Sequence, residues 1–222
     1  MSSTRTERRE RFDAWSGIAM LGAGVALAGV AVYKAVFVFT SVEVSTVVDT
    51  GYGGLALLLT GVALLGLYPR VRDVSPKTAI AAAVSSGLSI SFVIVVWGWL
   101  VGTTLQLGRV PVIPDEAPVW AAVALLGNFI TLSAGFILFA VASRRTATIP
   151  RSASGLLILP ALMWLGLIVN IAINLIPNMS IPVYVVNAIT VGAIGYIIRG
   201  RENGARSQVR ATEASTDHGE AP

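Results

Sequence analysis

The sequence predicts an all-α integral membrane protein, a polytopic bundle of six transmembrane helices. Apolar residues make up 55% of the 222 positions and charged residues only 13%, which excludes a disordered chain and disfavours a water-soluble domain. The apolar residues fall into six blocks, each long enough to cross ~30 Å of hydrocarbon as a helix. The positive residues collect on one side of the bundle that these blocks imply.

The six predicted spans cover residues 14–37, 51–68, 76–101, 118–141, 152–175 and 181–198. Pro76, Pro118 and Pro182 mark three helix starts, because a proline in the first turn loses no helical hydrogen bond. Residues 1–13 form a basic cytoplasmic segment, and residues 14–198 form the transmembrane domain. Residues 199–222 show no apolar periodicity, which predicts a disordered cytoplasmic tail.

The distribution of positive charge predicts the orientation of the helices. Positive residues in short loops are retained on the cytoplasmic side. With six crossings both termini share one side, and the opposite side has only Arg109, with Lys34 inside the first span. The cytoplasmic set is Arg5, Arg8, Arg9, Arg11, Arg70, Arg72, Lys77, Arg144, Arg145, Arg151, Arg199, Arg201, Arg206 and Arg210. We therefore expect a multi-pass protein of the cell membrane with cytoplasmic N- and C-termini.

The first span has an alternative interpretation as a cleaved signal peptide. A basic leader precedes an apolar run that contains Ala26-Leu27-Ala28, a small-x-small pattern typical of cleavage sites. The run continues as far as Phe39, which favours an uncleaved helix. Cleavage would leave the other five orientations unchanged, so charge sorting does not exclude it.

An internal repeat is suggested at an offset of 74 residues. Gly53 then matches Gly127, and Gly61 matches Gly135. The offset superimposes the second and third spans on the fourth and fifth, as duplication of a helical hairpin would. Chance matches in such a restricted alphabet are the alternative.

Small residues recur along the third span, at Ala79, Ala83, Gly87 and Ser91. Helices in a bilayer associate by close backbone approach, which small residues permit. The inner half of this span is therefore predicted to be central in the bundle. The first span has a shorter series of the same kind, from Gly22 to Ala28.

Four polar or amphipathic residues form the candidate binding site. Asn128 and Trp164 are predicted to lie near the midplane, at depths of about 15 to 20 Å, together with Ser86 and Ser89. One hypothesis is that these residues line a small polar pocket or a buried hydrogen-bond layer at this level. The alternative, which we favour, is that they only join helices, at ~0.6 kcal/mol per bond.

Three further polar or helix-breaking features lie within or near the spans. Pro160 should kink the fifth helix or free a backbone carbonyl. Asn170 and Asn174 should cap or solvate the outer end of that helix. Lys34 should extend its amine towards the headgroups, where Glu43 or Asp49 could pair with it.

The sequence excludes several chemistries more firmly than it indicates one. It contains no cysteine, and its single histidine is His218 in the tail, so it lacks the residues for a His-bearing triad, a thiolate site or intramembrane haem ligation. No Asp or Glu falls inside a predicted span. We expect no catalytic residues, no metal site, no cofactor and no enzymatic activity.

Two function classes remain. The first is a non-enzymatic structural, regulatory or partner-binding membrane component. The second is a small transporter or channel for a neutral or apolar solute. The expected partners are the lipid bilayer and either another membrane protein or a second copy of the chain, with no nucleic acid, because the basic residues are accounted for by topology.

Overall fold

The computed structural model describes the backbone of residues 3–40, 46–108, 117–146, 149–173 and 175–217, and the side chains of 15–40, 51–108, 117–146, 149–173 and 175–200. Within these ranges the secondary structure is helical and contains no strand. The helices are α1 Ser3–Thr40, α2 Thr46–Leu65, α3 Tyr68–Val71, α4 Pro76–Leu107, α5 Val119–Ser143, α6 Arg151–Leu156, α7 Ile158–Ile173 and α8 Ser180–Asp217.

Six stretches are long and apolar enough to cross a membrane. They are Trp15–Thr40, Gly51–Val71, Pro76–Leu107, Val119–Ser143, Arg151–Ile173 and Ser180–Gly200. The predicted all-helical architecture with six such helices is confirmed. Arg109, Glu43, Asn174 and residues 218–222, on which some of the predictions rest, lie outside the described residues, as does the side chain of Asp49.

The long helices form a closed ring in chain order. Each packs against the next, from α1 through α2, α4, α5 and α7 to α8, and α8 returns to α1. A smaller contact between α2 and α5 crosses the ring. This contact divides the bundle into a three-helix group of α2, α4 and α5, and a five-helix group of α1, α2, α5, α7 and α8.

The α1–α8 pair closes the ring through glycines. A side-chain carbon added at Gly24 would lie 2.8 Å from Gly192 Cα, and one at Gly195 would lie 2.7 Å from the Leu21 backbone nitrogen. One added at Gly17 would lie 3.4 Å from Arg199 Cβ. The two helices are therefore antiparallel, and both chain ends leave the bundle at the same end, called here the terminal end; the opposite end is the far end.

The small residues of α4 are buried along one face only, so the prediction that its inner half is central is corrected. Ala79, Ala82, Ser86 and Ser89 are buried, whereas Ser91 is exposed and Gly87 has no neighbouring atom within 4 Å of an added side-chain carbon. Only 28% of its most apolar stretch is buried, against 50% in α8. The helix contacts two long neighbours along one face. Residues spaced by four drift around a helix of 3.6 residues per turn, so the series of small residues does not stay on that face.

The first-span series is corrected in the same way. Gly22 has nothing within 4 Å of an added side-chain carbon, and Ala28 is exposed. Gly24 and Ala26 are buried. The close contact instead involves Gly17 and Gly24, which are spaced by seven residues and share one helix face.

The suggested repeat is not accompanied by equivalent contacts at its paired glycines. Gly61 faces Ile90 on α4, the helix that follows it. Gly135 faces Ser86, also on α4, which precedes it in the chain. Duplication of the hairpin stays a hypothesis.

Prolines explain both interruptions of the long helices. Helix α2 ends at Leu65, four residues before Pro69, and α6 ends at Leu156, four residues before Pro160. A proline removes the amide that would bond the carbonyl four residues earlier, and its ring collides with that carbonyl. The predicted disturbance at Pro160 is confirmed as a break at Leu157 between α6 and α7.

The structure describes residues 199–217 of the predicted tail as helix, and disorder of this segment stays a prediction. Helix α8 continues without interruption to Asp217. This segment contains no proline, and extending a helix that is already formed adds one hydrogen bond per residue fixed. Lack of an apolar face therefore did not prevent helix formation.

Aromatic residues near the far end join neighbouring helices. Trp99 and Trp120 meet edge to face with ring centroids 5.8 Å apart, which links α4 to α5. Tyr52 packs on Gly29, where an added side-chain carbon would lie 2.6 Å from Tyr52 Cε1. These aromatic residues thus act as packing contacts between helices.

Candidate functional site

One hydrogen bond joins two of the four predicted site residues. The Ser89 hydroxyl on α4 donates to Asn128 Oδ1 on α5 over 2.6 Å, and both residues are buried. The two helices pack side by side, and Gly127 next to Asn128 has Phe92 of α4 against it, at 3.0 Å from an added side-chain carbon. Ser89 and Asn128 therefore lie at the same level, as predicted.

Ser86 belongs to the same helix face but not to the same hydrogen bond. Its hydroxyl donates over 3.0 Å to the Ala82 carbonyl of its own helix. A side-chain carbon added at Gly135 would lie 2.7 Å from Ser86 Oγ. Ser86 therefore serves close packing of α4 on α5, because its bond to its own backbone leaves a compact side chain between the helices.

Trp164 lies in an aromatic cluster apart from the serines. Its ring stacks on Phe129 with centroids 5.0 Å apart and meets the Tyr184 ring edge to face at 5.4 Å. The residue is 0% exposed. The structure thus places Trp164 between α5 and α8, and gives no contact that brings it to Ser89.

A cation lies at the outer edge of this cluster. Lys34 Nζ is 5.8 Å from the Tyr184 ring centroid, a distance typical of a cation–π contact. Tyr184 Oη also lies 3.8 Å from a side-chain carbon added at Gly53 on α2. These contacts therefore link α1, α2, α5, α7 and α8, through Lys34, Gly53, Phe129, Trp164 and Tyr184.

Three buried polar atoms among the described side chains have no hydrogen-bond partner. They are Asn128 Nδ2, Trp164 Nε1 and Asn187 Oδ1, each with less than 1 Å² of surface accessible to water. An unpaired buried group of this kind costs about 1–3 kcal/mol. Two of these atoms are donors and one is an acceptor, so the bundle interior has unused hydrogen-bonding capacity of both kinds.

Sequence reasoning missed Asn187. It is 0% exposed on α8 and its amino group donates over 2.8 Å to the Val183 carbonyl. An asparagine inside an apolar span was the available signal, of the same kind that singled out Asn128.

Arg70 also has a role that charge sorting did not indicate. It is only 9% exposed, and its Nε donates to Ser16 Oγ over 3.2 Å, which ties α3 to α1 at the terminal end. Ser16 itself lies against Gly66, where an added side-chain carbon would be 3.0 Å from Ser16 Cβ. The turn after α2 therefore packs closely on α1.

Asn170 ties the far end of α7 to the connection that follows it, and capping of the helix end itself stays a prediction. Its Nδ2 donates to the Ile176 carbonyl over 3.0 Å, and the Ile176 amide donates to Asn170 Oδ1 over 2.7 Å. This paired contact satisfies two backbone groups of the following turn. Asn170 is thus accounted for structurally.

The described part of the chain contains no group of three His, Cys, Asp or Glu side chains that could hold a metal ion. The sequence matches no family model, no curated protein and no solved structure. The class defined by the fold is an all-helical protein with six helices long and apolar enough to span a membrane.

Proposed function

We propose that the chain is a non-enzymatic component of the cell membrane, with both termini in the cytoplasm, which acts by binding a partner protein within the bilayer. The carrying observation is the closed interior. Ser86, Ser89 and Trp164 are 0% exposed and Asn128 is 1% exposed, so a partner has access only to the outer faces of the helices.

The outer faces supply an apolar surface on every long helix. Val25, Val84, Ile130, Val169 and Ile189 are each exposed by more than a third of their surface. In a bilayer this surface contacts lipid or another membrane protein, since neither requires polar groups. A partner would be recognised by close packing on one of these faces.

Photocrosslinking in native membranes tests this proposal. A photoreactive amino acid is placed in turn at Val25, Val84, Ile130, Val169 and Ile189, one on each of five helices. We expect protein adducts from one or two neighbouring helices and lipid adducts from the others. An adduct of twice the chain mass identifies a second copy as the partner. Lipid adducts alone at all five positions would contradict the proposal.

The second candidate function is transport of a neutral solute. The unpaired Asn128 Nδ2 and Trp164 Nε1 and the break between α6 and α7 favour it, because transporters often combine interrupted helices with polar groups near the midplane. Stopped-flow light scattering of proteoliposomes in a glycerol or urea gradient measures such transport. Rates equal to those of protein-free vesicles would exclude these solutes.

A further inference from the structure

Trp164 and Asn187 lie on adjacent helices of the five-helix group, both near Tyr184. Trp164 on α7 contacts Tyr184 on α8 at 5.4 Å between ring centroids. Asn187 follows Tyr184 by three residues, which places it on the same side of α8 and about 4.5 Å further along the axis. Both Trp164 and Asn187 are 0% exposed.

The unpaired atoms of these two residues are chemically complementary. The indole nitrogen of Trp164 is a donor and has no partner, and Asn187 Oδ1 is an acceptor and has none. The Asn187 amino group already donates to the Val183 carbonyl at 2.8 Å, which orients the amide and leaves its oxygen for a different partner. The chain thus presents one donor and one acceptor from adjacent helices.

We infer that Trp164 and Asn187 bind one small neutral molecule that carries both a hydrogen-bond acceptor and a hydrogen-bond donor, such as a primary carboxamide or an alcohol. The acceptor of the ligand receives the Trp164 N–H, and its donor is directed to Asn187 Oδ1. A charged ligand is disfavoured on both sides. A carboxylate has no donor for Asn187 Oδ1, and an ammonium group has no acceptor for the Trp164 N–H and no Asp or Glu in a predicted span to pair with it.

The break at Leu157 supplies a place at which α7 can move to admit the ligand. Both atoms have less than 1 Å² accessible to water, so entry requires a displacement. Pro160 precedes Trp164 by one helical turn, and the carbonyl of Leu156 has lost the amide that a continuous helix would supply. This site goes beyond the proposed function and does not depend on a protein partner.

Fluorine NMR of the full chain, labelled with 5-fluorotryptophan and held in nanodiscs, tests the inference. The Trp164 resonance is assigned by its loss in the Trp164→Phe variant. The protein is titrated with acetamide and with 1-propanol, and with acetate and methylammonium as charged probes of similar size. We expect a saturable shift of the Trp164 resonance with the neutral probes only.

The Asn187→Leu variant should raise the probe concentration at half-saturation on the order of fivefold, since one hydrogen bond to the ligand is lost. If the leucine variant does not fold, Asn187→Ala is used in its place. Thr190→Val is the matched control, because it removes another buried polar group of α8, whose hydroxyl already donates to the Val186 carbonyl, and it should leave half-saturation unchanged.

Four results would overturn the inference. The first is the absence of a saturable shift with both neutral probes, and the second is an equal response to the charged probes. The third is an unchanged half-saturation concentration in the Asn187 variants. The fourth is an effect of deuterated water on the Trp164 resonance without any effect of the solutes. The last result would mean that the site holds water only.

Discussion

Ser86 and Ser89 lie three residues apart on α4, yet their hydroxyl groups have different partners. Ser89 donates to Asn128 on α5, whereas Ser86 donates to the Ala82 carbonyl of its own helix. Both side chains are 0% exposed. The two residues have nearly the same predicted depth in the membrane. The direction of each side chain decides which of them joins two helices.

A double-mutant cycle between Ser89→Ala and Asn128→Leu should give a coupling energy of ~0.6 kcal/mol, the average for interhelical hydrogen bonds in a membrane protein. The measurement is the free energy of unfolding in mixed micelles. Ser86→Ala combined with Asn128→Leu is the control and should show no coupling, because Ser86 does not bond Asn128. Equal coupling in the two cycles would contradict the assignment.

Arg70 and Arg72 are separated by one residue, yet their substitution should affect stability differently. Arg70→Leu should destabilise the fold by about 1–3 kcal/mol, because the buried Ser16 hydroxyl loses its donor. The Arg72 side chain is 54% exposed beside Asp73, so Arg72→Leu should change stability by ~1 kcal/mol or less. Thermal unfolding in detergent compares them, and equal losses would argue against a packing role for Arg70.

At the scale of elements, the helix pair that closes the ring is one in which backbone meets backbone directly. Helices α1 and α8 are the first and last of the chain, and the carbon added at Gly24 lies 2.8 Å from the backbone of Gly192. The small residues of α4, although more numerous, leave one face of that helix exposed. The number of small residues on a helix therefore indicates close packing less well than the position of a glycine opposite another glycine.

Gly24→Ala should destabilise the bundle by about 1–3 kcal/mol, since the new methyl group meets backbone atoms of α8, which cannot rotate away. Gly22→Ala is the matched control two positions earlier. Nothing lies within 4 Å of its added carbon, so its stability should be unchanged or slightly raised by the better helix propensity of alanine. The readout is the midpoint of denaturant unfolding, and a larger loss at Gly22 would refute this packing.

At the scale of the whole molecule, six antiparallel helices in a ring place both chain ends at one end of the bundle. The close approach of Gly17 to Arg199 places the start of the first span beside the end of the last span. The basic residues Arg70 and Arg199 lie at this same end through their contacts with α1. Charge sorting along the sequence and the geometry of the ring thus place these basic residues on the same side as the ends of the first and last spans. That this side is cytoplasmic is a prediction.

Single cysteines report this orientation directly, because the chain contains none of its own. Ser3→Cys and Ser207→Cys should react with a membrane-impermeant maleimide only after the cells are opened. Asn178→Cys, in the connection between α7 and α8, should react in intact cells and provides the positive control. Labelling of either terminal cysteine in intact cells would contradict the predicted topology.

Six spans, their order and their approximate limits follow from the sequence alone, because the length of an apolar run and the position of a proline act locally, through burial of side chains and loss of an amide. Pro76 and Pro160 mark a helix start and a helix break for this reason. Tertiary structure decided what each interior residue contacts, since side-chain direction depends on which helices are neighbours. The separation of Trp164 from Ser89, the buried position of Arg70 and the complementary atoms of Trp164 and Asn187 all required that the ring be closed.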